Sequence, residues 1–108
     1  KQLTTSKGWD DHSALVITFD EAEATDTSGC APCHDTSAGG RIGTIIISPL
    51  LAKRGTYQGW YGDHYGLLRT WETAWGLPTL KSRAASPAAA KLVHDGDSGV
   101  KPLTGVWR

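Results

Sequence analysis

The sequence holds no methionine and only two cysteines, Cys30 and Cys33. Without methionine a haem held by a His/Met pair is excluded, and the chain opens on Lys1 with no initiator residue. The charged, apolar and small-residue zones of a signal peptide are missing as well, so the sequence reads as a mature or excised piece. Two cysteines so close together cannot build a disulfide framework, although a single local bridge would suit an exported protein, periplasmic or extracellular. Charge of one sign is also lacking. Eleven Lys and Arg balance eleven Asp and Glu, and with no run of like charge the chain has no electrostatic footprint for nucleic acid or an anionic membrane surface. The longest apolar stretches, Ala14 to Ile17 and Ile45 to Ile47, fall far short of the ~20 residues that span a bilayer. No repeat or linker interrupts the 108 residues, which predicts one domain, 1–108, able to bury roughly 60 to 70% of its unfolded surface.

What is present is organised around two apolar runs. Asp10, Asp11 and His12 precede Ser13 to Phe19, a β-branched and aromatic stretch with too little polar alternation for a half-exposed strand, so a buried strand is expected there. It ends at Asp20 and Glu21. Residues 22–40 turn to Ala, Thr, Ser, Gly and Asp around the two cysteines, a loop unusually long for a compact domain. Arg41 to Ser48, with Ile42, Ile45, Ile46 and Ile47, predicts a second buried strand, stopped by Pro49. Asp63 suits a helix N-cap, and Leu67, Leu68, Trp71, Ala74 and Trp75 give the following helix an apolar face that places Trp71 and Trp75 in the core. Gly76 and Pro78 end that helix. Beyond it, Ala84 to Lys91 can form a short helix, and Asp95 to Gly105 reads as an irregular tail.

The most informative chemistry is the acid pair at the end of the first strand, the position at which open α/β sheets place their ligands. Neighbouring strand residues point to opposite faces, so Asp20 and Glu21 can serve one metal only if the strand breaks there, and the long loop begins at once. Hard cations take such carboxylates, and zinc or iron accept them with a histidine, for which His64 is the candidate. The plainer alternative is that both acids end the strand in solvent and that His64 helps Asp63 cap the helix.

Five ordered blocks carry a resemblance: Trp9 with Ala14–Glu21, Gly40–Pro49, Lys53–Gly55, Asp63–Glu72 and Gly76–Pro78. Together, over residues 9–80, they resemble the C-terminal part of the bacterial phosphoesterase family, of phospholipase C and acid phosphatase type. The resemblance implies an alkaline-phosphatase-like α/β sandwich around a largely parallel sheet, and hydrolysis of phosphate mono- or diesters. It matches Asp20 and Glu21 to the acidic pair at the family's active-site metal, a divalent ion, and His64 to a histidine at or beside the same site. It also implies that the hydroxyl nucleophile and the other metal ligands belong to an N-terminal remainder of the same protein, so that this chain alone holds half a site and is inactive. Gly66 departs from the serine that the family usually carries after the His-Tyr pair.

Cys30-Ala31-Pro32-Cys33-His34 supports a different class. Cys-x-x-Cys-His is the attachment signature of covalent haem c, with His34 as axial ligand and His12, His64, His94 or an open position opposite. The rivals are a local disulfide that stiffens the loop, a redox-active thiol pair and a zinc site. Trp60 and Tyr61, bracketed by glycines, are candidates for the rim of a pocket. Lys53 and Arg54 suit either an anionic substrate or a solvated turn. The expectation is therefore an α/β chain of at least two core strands, a packed amphipathic helix over Tyr65 to Trp75 and a long Cys-bearing loop. A phosphate ester is its expected substrate, against the alternatives of a single-haem electron-transfer module or a non-catalytic structural piece.

Overall fold

The computed structural model describes residues 2–23, 25–26, 40–56 and 62–108. Two short strands, β1 (Leu15–Thr18) and β2 (Thr44–Ile47), pair antiparallel with Leu15 opposite Ile47 and Thr18 opposite Thr44. Both strands lie inside the predicted runs and are shorter than them. Hydroxyls pin the hairpin at its two ends: Thr18 Oγ1 meets Thr44 Oγ1 at 2.8 Å, and Ser48 Oγ donates to the Ser13 carbonyl at 2.7 Å.

The expectation of buried strands needs correction. Alternation puts Leu15 and Ile17 of β1 on one face with Ile45 and Ile47 of β2. Ile17 is 52% and Ile45 59% exposed, and Phe19, just past the strand, is 66% exposed. No described residue covers this face well. The apolar runs describe a sheet built to be covered, while burial depends on a partner surface that the sequence pattern cannot supply. The antiparallel pairing likewise differs from the largely parallel sheet implied by the resemblance.

Helix α1 (His64–Trp75) begins and ends as predicted. The Asp63 side chain accepts from the Gly66 N–H at 2.9 Å, and Gly76 closes the helix in the left-handed region at φ 65°, a conformation that glycine adopts without strain. Trp75, expected in the core, is 70% exposed. Its ring instead stacks at 6.1 Å on half-buried Trp71, which reaches Trp107 at 6.3 Å. Single-turn helix α2 (Pro87–Ala90) lies within the predicted 84–91 and is capped by Ser86.

The region read as an irregular tail carries the buried centre. Val100 and Leu103 are the buried apolar side chains among the described residues, joined by the polar Thr70, Glu72 and Asp95. Without regular structure of its own, the tail is tied to the rest of the chain bond by bond. Leu103 N–H donates to Thr70 Oγ1 at 2.8 Å, Ala52 N–H to the Val106 carbonyl at 2.8 Å, and Arg108 N–H to the Leu50 carbonyl at 2.8 Å. Each of these bonds satisfies a backbone group that a ladder or helix would otherwise serve.

Candidate functional site

Antiparallel pairing brings the end of β1 beside the start of β2, and the bend after Phe19 turns the chain where the acids stand. Asp20 and Glu21 are both exposed. From the other side, the start of α1 delivers His64, whose Nε2 lies 3.0 Å from the Asp20 main-chain carbonyl. A carbonyl can only accept, so Nε2 is the donor in this bond, and in a neutral imidazole Nδ1 then carries the lone pair. The first turn of α1 is thereby fixed to the end of β1 across 44 residues of sequence.

Metal-binding histidines are commonly held in this manner, one ring nitrogen donating to a carbonyl while the other faces the ion. In donor type, then, two exposed carboxylates and a histidine fit a divalent cation. In placement they fall short. Among the described residues no group of three or more His, Cys, Asp and Glu side chains is close enough to hold a metal ion.

Beside the acids opens a cavity of about 440 Å³ lined by Phe19, Glu21, Glu23, Asp26, Arg41 and Ile42 among others. Its floor is where the two ends of the Cys-bearing loop meet. Arg41 N–H donates to Asp26 Oδ2 at 3.1 Å, and Gly40 sits at φ 60° so close to Ala22 that a side chain there would stand 2.8 Å from the Ala22 Cβ. Glycine is required on both grounds, conformation and space. The candidates Cys30, Cys33 and His34 in that loop, and Trp60 and Tyr61, lie outside the described residues.

Sequence reasoning missed a second acid pair. Glu72 and Asp95 are 4% and 0% exposed. Glu72 Oε1 and Asp95 Oδ2 both accept from the Leu80 N–H, at 3.2 and 2.5 Å, and Asp95 Oδ1 accepts from the Lys81 N–H at 3.1 Å. Burial, and then the neighbouring Asp95, push the Glu72 carboxyl above its ordinary value. Burial alone would raise Asp95 too, but the Glu72 hydrogen bond and the Lys81, Leu80 and Gly96 N–H groups outweigh it and hold Asp95 below its ordinary value. A charged residue within the helix's apolar pattern, four positions after Leu68, was the available signal for Glu72. Nothing in the tail's composition marks Asp95. Elsewhere, exposed Asp10 is lowered by the His12 N–H at 2.9 Å and the Ser13 hydroxyl, a local turn at the surface.

A family model described as the Phosphoesterase family matches residues 1–78, from the amino-terminal turn through the end of α1. No curated protein and no solved structure matches the chain.

Proposed function

Because the chain belongs to the Phosphoesterase family, we propose that it forms part of a metal-dependent hydrolase of phosphate mono- or diesters, with Asp20, Glu21 and His64 at the cation. Family membership supplies the substrate class, a phosphate ester. The observation that carries the metal reading is the bond from His64 to the Asp20 carbonyl, which ties the start of α1 to the residue just past the strand that bears one of the two exposed carboxylates. A divalent cation there would lower the pKa of a bound nucleophile and neutralise charge on the transferred phosphoryl group.

Among the described residues no three such donors stand close enough to hold a cation, so further ligands and a hydroxyl nucleophile are needed. Both would come from the N-terminal remainder of the same protein. The uncovered sheet face at Ile17, Ile45 and Ile47, together with Phe19, supports this reading, since contiguous exposed apolar surface marks a contact area. Arg41 and Glu21 in the adjoining cavity would face the ester.

The test is hydrolysis of p-nitrophenyl phosphate and bis(p-nitrophenyl) phosphate by the natural-length protein, with and without a chelator. The expected result is turnover of at least one ester, abolished by chelation and restored by a divalent cation. Failure to cleave either ester, or turnover indifferent to the chelator, overturns the proposal. The 108-residue chain by itself is expected to be inactive.

A further inference from the structure

The buried acids Glu72 and Asp95 stand on opposite sides of a boundary. Glu72 belongs to α1, within the family match, whereas Asp95 belongs to residues 79–108, beyond it. Segment 79–108 is fastened to α1 at few points: Leu103 N–H on Thr70 Oγ1, Trp107 against Trp71, Tyr65 edge-on to His94 at 5.2 Å, and the acid pair. At the pair, one carboxylate oxygen from each side converges on the single Leu80 N–H, which has only one proton to offer. Two oxygens so placed repel unless a second proton lies between the carboxyls. Glu72 Oε2 is buried with no hydrogen-bond partner, and the Arg69 guanidinium stands 3.7 Å from it.

We propose that Glu72 and Asp95 share one proton, and that this proton latches segment 79–108 onto α1, so that the segment loosens as the pH rises. The other charged groups facing the pair are few. Arg69 approaches from α1; Lys81, beside Asp95 through its backbone N–H, sends its ammonium to Asp97, which also takes His94 Nδ1 at 2.9 Å. Among the described residues a metal ion in place of the proton lacks donors, and Arg69 already supplies positive charge.

The sign follows from the two carboxyls separately. Glu72, raised above its ordinary 4.5, contributes stability that is whole below that value and is lost as the pH climbs through its elevated one. Asp95, lowered from its ordinary 3.8, contributes stability that is whole above 3.8 and is lost as the pH falls through its depressed value. Docking is therefore tightest near about pH 4, where the pair keeps a single proton.

Hydrogen exchange of the Leu80, Lys81 and Leu103 amides between pH 4 and 8, corrected for intrinsic rates, reads the latch. In the wild-type chain protection falls by about tenfold or more across this range. Glu72→Gln, a neutral donor of the same shape, holds protection flat, and His94→Gln leaves the wild-type response in place. Wild-type protection independent of pH overturns the latch, as does a response that survives Glu72→Gln or disappears in His94→Gln. Should Glu72→Gln fail to fold, carboxyl carbon titration of the wild-type chain decides: a Glu72 resonance titrating above 4.5 supports the shared proton, and one at or below it removes it. None of these outcomes depends on whether the protein hydrolyses a phosphate ester.

Discussion

Two pairs of acids divide the molecule between them. Asp20 and Glu21 stand exposed where a strand stops, and among the described residues it is the Asp20 backbone carbonyl, not either side chain, that receives His64. Glu72 and Asp95 are sealed from solvent and accept the Leu80 and Lys81 N–H groups. The same chemical group thus stands either open to solvent or as a structural acceptor, and the difference lies in desolvation and in what the neighbouring backbone needs. A strand end leaves its carboxylates in solvent, whereas a tail without regular structure spends its polar side chains on the main chain.

That contrast is broken most severely at the buried end. Leu103→Ala removes a side chain only 4% exposed and should cost about 2 to 4 kcal/mol of unfolding free energy in a denaturant titration. Thr70→Val deletes the hydroxyl that donates to the Gly66 carbonyl and accepts the Leu103 N–H. A loss of about 1 to 3 kcal/mol is expected, because a buried donor is left unpaired. At the open end the effects shrink. Gly40→Ala forces a positive φ on alanine and a clash with Ala22, for a cost of about 1 to 2 kcal/mol together with wider spacing of the loop ends. Ile45→Thr, on the uncovered sheet face, should change the stability of the chain by less than about 0.5 kcal/mol, and a larger loss would show that this face is covered.

Local signals made much of this frame legible. Asp63 and Gly76 bracket α1 because an N-cap carboxylate and a left-handed glycine answer needs set by the backbone alone. Pro49 follows β2, and both strands lie within the runs that predict them. Burial was less legible, since Ile17 and Ile45 have the composition of covered residues and lack a described neighbour to cover them. Trp75 satisfies the helical period yet lies in the last turn, beyond the reach of the tail that shields Trp71. That Asp20 and His64 serve one metal is implied by the family resemblance and not by spacing, and the contact found between them runs to the Asp20 main-chain carbonyl. Asp95 was invisible because its partners are backbone N–H groups brought close only by the fold.

The claim that the exposed acids act on substrate while the buried acids hold the fold is tested most directly by Asp20→Asn in the natural-length protein. Its turnover of a phosphate ester should fall by about 100-fold or more, with the melting temperature unchanged, because the carbonyl that binds His64 remains. Turnover equal to wild type would contradict the account.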